Sequence, residues 1–170
     1  MLTSSQYTEE LRIGGVSAAV RLRQDRTLSQ RLLTQLGGRF ATPEMAMPCG
    51  VRWREADEVV QDCLDLIAAA LQGKPLGDTP APLTARIGDW AAEGVALETV
   101  QQATHAGSRF VLDQLARRAT SADSRTMTVA GQRVAEVLER VTTSFTSTYL
   151  QFFVPKRAGS PTPPKRWARP

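Results

Sequence analysis

The sequence predicts an all-α fold, a helical bundle of about five to six helices followed by a disordered basic C-terminal tail. Three observations carry that prediction. Apolar residues recur at three- and four-residue spacing over long stretches of the chain, whereas no run alternates as a strand would. Glycine and proline clusters interrupt the periodic stretches where helices need to end. Apolar residues are 42% of the chain and charged residues 22%, proportions of a globular protein rather than a disordered or membrane one.

The elements follow in chain order. Residues 1–26 are mixed in character and form an N-terminal lead-in, with at most a short helix. A first helix spans Thr27–Leu36, with Leu28, Leu32, Leu33 and Leu36 on one face and Gly37-Gly38 as its stop. Pro43 and Pro48 make residues 39–50 a connection. The second helix, Val51–Gln72, repeats Ala56, Val60, Cys63, Leu64, Ile67 and Leu71 along one buried face, and Gly73-Lys74-Pro75 ends it. A loop containing Gly77, Pro80 and Pro82 leads to a third helix, Leu83–Glu93, with Leu83, Ile87, Trp90 and Ala91 inward.

Gly94 then breaks the chain, and a fourth helix, Ala96–Ala119, carries Leu97, Val100, Thr104, Gly107, Val111 and Leu115 on its stripe. The last helix, Ser124–Gln151, buries Ala130, Val134, Val137, Leu138, Val141, Phe145 and Tyr149. Residues 27–151 thus form one domain, arranged as a bundle or a globin-like helical sandwich. Residues 152–170 form a proline-rich tail with five prolines in the last 16 residues, a composition that resists packing as a helix.

Charge is unevenly placed. The chain carries +4 overall, yet residues 151–170 hold five bases and no acid, which leaves 16 bases against 17 acids in residues 1–150. The body is therefore near neutral, and an argument for nucleic-acid binding rests on the tail alone, through Lys156, Arg157, Lys165, Arg166, Trp167 and Arg169. Cys49 and Cys63 are too few for a disulfide framework and lack the spacing of a zinc site, so the expected compartment is the reducing cytoplasm. The first residues carry acids where an export signal needs bases. No segment reaches the ~18 consecutive apolar residues of a membrane span.

Catalytic patterns are missing: neither GxSxG, HExxH nor GxxxxGK[ST] occurs. His105 is the single histidine and lies ~80° from the apolar stripe, so it reads as a surface or interface residue rather than a haem ligand. Glu58, Asp62 and Asp65 are spaced as one helix face and read as solvated rather than metal-binding. Trp53 and Trp90 read as core or interface aromatics. No enzyme activity, metal or cofactor is expected.

The segment Trp90–Leu115, WAAEGVALETVQQATHAGSRFVLDQL, resembles the N-terminal helical module of RsbR-type stressosome proteins and of actinobacterial PucR/CdaR-type transcriptional regulators. Glu93-Gly94-Val95 matches the helix-ending step of that module, Leu97-Glu98 the following start, Gly107 its small residue, and Phe110 with Leu115 its close. The likeness extends over about residues 51–150. It implies a globin-like, haem-free input domain that homodimerises and passes a signal to a protein partner in a regulatory pathway, with no catalytic residues to carry over. This chain departs from the regulators after Tyr149, where it turns into the basic tail instead of a linker and a helix-turn-helix. Interface or ligand-contact candidates on the resembling segment are Trp90, His105, Gly107, Arg109, Phe110 and Leu112.

Overall fold

The computed structural model describes residues 9–40 and 53–153, and among them the chain forms six α-helices, one two-stranded hairpin and a single 3-10 turn. The strands are β1 (Arg12–Ile13) and β2 (Val16–Ser17). The helices are α1 (Ala18–Gln24), α2 (Leu28–Phe40), α3 (Trp53–Leu71), α4 (Ala81–Ala92), α5 (Leu97–Ala116) and α6 (Ser124–Phe153). The all-α prediction holds. Helix α6 is the spine of the bundle: α3, α4 and α5 pack on it, α1 lies on α3, and α2 bridges α3 and α5.

The lead-in is more ordered than its composition suggests. Arg12 pairs with Ser17 and Ile13 with Val16 in an antiparallel hairpin, a correction to the strand-free reading. Two-residue strands are too short to show alternation, so periodicity cannot find them. The turn is Gly14-Gly15, both at positive φ (56° and 76°), which suits the twist of a two-residue hairpin. The core reaches back past the expected start at residue 27, because Ile13, Ala18 and Ala19 are fully buried and Leu22 nearly so.

Helix boundaries follow local chemistry. Asp25 opens α2 by accepting hydrogen bonds from the backbone N–H of Thr27 (3.1 Å) and its hydroxyl (2.7 Å). Those donors, chiefly the hydroxyl, hold its carboxyl below the usual range. Gly37-Gly38 does not stop α2, which runs to Phe40. Glycine lowers helix propensity by about 1 kcal/mol against alanine but does not forbid the helical conformation, and the leucine face upstream is already buried. Helix α4 starts at Ala81 rather than Leu83, since Pro82 in the first turn loses no intrahelical bond.

Gly94 closes α4 as its position predicts. At φ 86° it donates to Ala91 O (3.2 Å), while Val95 N–H reaches Trp90 O (2.9 Å) and the Val95 side chain is buried. Glu98 then stands in the first turn of α5, where its charge suits the helix dipole. Helix α5 ends at Ala116, short of the expected Ala119, and the chain turns through Ser121–Asp123 into α6. That corner is tied to the hairpin by Asp123, which accepts from Thr120 N–H (2.8 Å), the Thr120 hydroxyl (2.8 Å) and Gly14 N–H (3.1 Å).

One core residue is a cation. Arg133 lies on the apolar face of α6 between Ala130 and Val134, is 2% exposed, and donates to Glu9 O (2.9 Å), Ala70 O (3.2 Å) and Leu71 O (3.1 Å). It adds donors and positive charge at the carboxyl end of α3, where Ala70 O also accepts from Gly73 N–H (2.9 Å) and Leu71 O from Leu11 N–H (3.0 Å).

Candidate functional site

Between the helices lies an apolar cavity of about 120 Å³. Leu32, Leu33 and Leu36 line it from α2, and Ala56, Val59, Val60, Cys63, Leu64 and Ile67 from α3. Helix α5 contributes Val100, Ala103, Thr104, Gly107, Ser108 and Val111; α6 contributes Val137, Leu138, Val141 and Phe145; Trp90 of α4 completes the wall. The stripe expected to be uniform core on α3 is therefore divided. Leu64, Ile67 and Leu71 are buried, whereas Ala56, Val60 and Cys63 are half-buried, and all of these but Leu71 line the cavity.

Gly107 shapes this space. A Cβ built on it would stand 3.4 Å from Leu32 Cδ2, an ordinary contact, so Gly107 lies directly against the leucine face of α2. The two hydroxyls on the wall are used within their own helix: Thr104 Oγ1 donates to Val100 O (2.8 Å) and Ser108 Oγ to Thr104 O (3.1 Å). Burial pushes the Cys63 thiol up to about 12, so it is a neutral wall group at physiological pH. Trp90 is 7% exposed, and its indole Nε1–H is buried without a hydrogen-bond partner among the described residues. Among the described residues no carboxylate or basic side chain lines the cavity.

Of the candidates singled out in the sequence, the fold brings Trp90 and Gly107 together at this wall. His105 and Arg109 are exposed on α5 and do not line the cavity. Phe110 is 8% exposed and lies beneath Arg31, whose guanidinium carbon is 5.8 Å from the ring centroid. Arg31 also pairs with Asp25 at 3.0 Å and donates to Gln114 at 3.2 Å, so it clips the start of α2 to α5. Leu112 is half-buried against the core. Lys156, Arg157, Lys165, Arg166, Trp167 and Arg169 lie outside the described residues, as do the side chain of Trp53 and all of Cys49.

Two acids of the acidic face of α3, Glu58 and Asp65, are paired with bases of their own and flanking helices. Glu58 meets Arg86 of α4 and Arg54 of α3, and Asp65 meets Arg23 of α1 at 3.6 Å. Burial, then the neighbouring Asp65, raises the Asp62 carboxyl above its ordinary range. Among the described residues no group of three or more His, Cys, Asp or Glu side chains could hold a metal. None of their helices is long and apolar enough to cross a membrane.

Sequence reasoning missed two features. The signal for Arg133 is its place three residues after Ala130 and four before Val137, on the stripe itself. The signal for the cavity is the small or short side chains Ala103, Thr104, Gly107 and Ser108, which fill less volume than the facing stripe supplies.

Fold and cavity together define the class: an all-helical domain with an apolar cavity between its helices. The family model of the RsbT co-antagonist protein rsbRD N-terminal domain matches residues 28–152, and the chain belongs to that family. It is thus a regulatory signalling domain of the stressosome type, on the RsbR side of the resemblance seen in residues 90–115. Neither a curated protein nor a solved structure matches the chain.

Proposed function

We propose that this chain is a non-catalytic cytoplasmic input domain that homodimerises and reports on a ligand or partner to another protein of a regulatory pathway, in the manner of the PucR-type input module. The observation that carries the reading is the family match over residues 28–152. The globin-like arrangement and a part in transcription regulation belong to the same proposal. Self-association is supported by the end of α6, where Leu150, Phe152 and Phe153 are 56%, 52% and 73% exposed. Large apolar side chains gathered at one helix end mark an interaction surface more often than scattered ones do.

The test is light scattering after size exclusion at high micromolar concentration. The wild type runs as a dimer, and Leu150→Ser combined with Phe153→Ser shifts it to a monomer. A wild type that stays strictly monomeric overturns the dimer.

A second reading, a nucleic-acid accessory role, is favoured by one observation, the five bases without an acid in residues 151–170. Five phosphate contacts give a log–log salt slope of about −4. DNA retention that survives deletion of residues 155–170 disposes of it.

A further inference from the structure

We propose that the end of the bundle formed by the β1–β2 turn, the end of α1 and the α5–α6 corner is a docking surface for an acidic segment of a protein partner, held by Arg12, Arg21 and Arg118 around the exposed Val16. The surface names the chemistry of the partner to which an input domain reports, and it rests on that reading.

Charge is polarised within a body that is near neutral overall. Residues 11–26 hold four arginines against one acid, and residues 114–122 hold two arginines and no acid. The fold brings the two stretches together at the hairpin turn. A Cβ built on Gly14 would stand 2.9 Å from the backbone oxygen of Arg118 and 3.6 Å from Nη2 of Arg21. Arg12 donates from Nη2 (3.2 Å) and Nε (3.4 Å) to Gly15 O, which fixes its guanidinium at the same turn. Arg118 adds to the Thr27 hydroxyl, the Thr27 backbone and Arg31 in lowering the Asp25 carboxyl, which sets its charge beside the end of α1.

Pairing leaves these cations available. Arg23 and Arg31 are taken by Asp65 and Asp25. Arg12, Arg21 and Arg118 form no salt bridge among the described residues, and Nε of Arg21 is buried without a hydrogen-bond partner. Asp123, the acid at the turn itself, is engaged by Thr120 and Gly14 instead. Guanidinium groups are weakly hydrated and match carboxylates in a forked geometry, so they suit an acidic partner.

The rest of the surface sets the kind of partner. Val16 is 41% exposed, so the cations surround an apolar contact. A peptide segment that places acids beside an apolar side chain meets both features. Nucleic acid suits the surface less well: its phosphates would pass over the carboxylates of Asp25 and Asp123, and among the described residues no exposed aromatic lies at this turn for a base to stack on. Phe152 and Phe153 stand at the other end of α6, roughly 40 Å away along its 30 residues. Docking and the proposed dimer contact therefore use opposite ends of one helix.

The full chain is titrated with a synthetic peptide repeating glutamate, leucine and glutamate, and with the same peptide carrying glutamine for glutamate, by two-dimensional NMR and calorimetry. The acidic peptide shifts the amides of Gly14, Gly15, Val16 and Arg118, the glutamine peptide does not, and the affinity falls with added salt. Arg12→Gln and Arg118→Gln each weaken binding about threefold, the effect of one exposed charge pair, and Val16→Ser does so by a similar factor. Arg54→Gln, on α3, leaves it unchanged. All four side chains are exposed, and an unaltered amide spectrum away from each substitution shows that the variants fold. Absence of saturable binding, shifts confined to residues 155–170, or equal affinity for the glutamine peptide overturns the surface. An oligonucleotide that binds through the same arginines more tightly than the acidic peptide overturns the protein partner. Light scattering on the same samples reads dimerisation separately, so a peptide-binding monomer and a dimer that ignores the peptide are distinguished.

Discussion

Arg133 on α6 donates to the carbonyl of Leu71 at the carboxyl end of α3, at 3.1 Å, across 62 residues of sequence. Together with Ala70 O and Glu9 O this makes one guanidinium the junction of α3, α6 and the N-terminal segment. Arg133→Met keeps the length of the side chain and removes its charged donors, which cuts the tie between the three segments while Ala70 O and Leu71 O keep their backbone bonds from Gly73 and Leu11. The expected loss is about 3 kcal/mol, read as a lower urea midpoint. Arg133→Lys retains the charge but not the forked geometry, and falls between the two.

Gly14 and Gly15 make a paired comparison. Both have positive φ, but a Cβ on Gly14 would stand 2.9 Å from the backbone oxygen of Arg118, whereas Gly15 has nothing within 4 Å. Gly15→Ala should cost about 1 kcal/mol from backbone strain alone. Gly14→Ala should cost more, because the hairpin must also retreat from the α5–α6 corner. Equal urea midpoints for the two variants would refute this account of the docking.

The corner has an acid-sensitive latch. The Thr120 backbone and hydroxyl donors, then Gly14 N–H, hold the Asp123 carboxyl below its ordinary value of 3.8. Because the folded value is depressed, its contribution is fully present above the unfolded value and is lost as pH falls through the folded one. Asp123→Asn should therefore lower stability at neutral pH and flatten the decline below about pH 4. Urea unfolding at pH 7 and at pH 3 reads both effects.

Cys63 is raised, with the opposite sign. Folded protein keeps the thiol neutral up to about 12, while the unfolded chain ionises near the ordinary 9.0, so stability falls as pH rises between those values. At pH 8 a thiol-disulfide reagent applied to a Cys49→Ser variant should leave Cys63 unmodified until denaturant is added. Rapid modification of the native protein would show the wall of the chamber to be open to solvent.

Helix positions were legible in the sequence wherever a long apolar stripe met a stop. The stripes of α3, α5 and α6, the break at Gly94 and the acid at Glu98 all stand where spacing and capping chemistry place them. Shorter features were illegible. The hairpin offers two residues per strand, and the continuation of α2 past Gly37-Gly38 depends on burial upstream rather than on local propensity. Trp90 and Gly107 were marked as contact residues, but their neighbours in sequence, His105 and Arg109, face solvent instead.

By itself the sequence determined that the chain is helical, where most helices begin and end, and that the body is near neutral, because these depend on periodicity, capping and composition; the family resemblance came separately, from the motif in residues 90–115. Only the tertiary structure decided that Arg133 is buried beneath three carbonyls, that the lead-in belongs to the core, and that five helices leave an apolar cavity between them. Those outcomes depend on how side-chain volumes from distant segments add up at a crossing, a sum that no single helix contains.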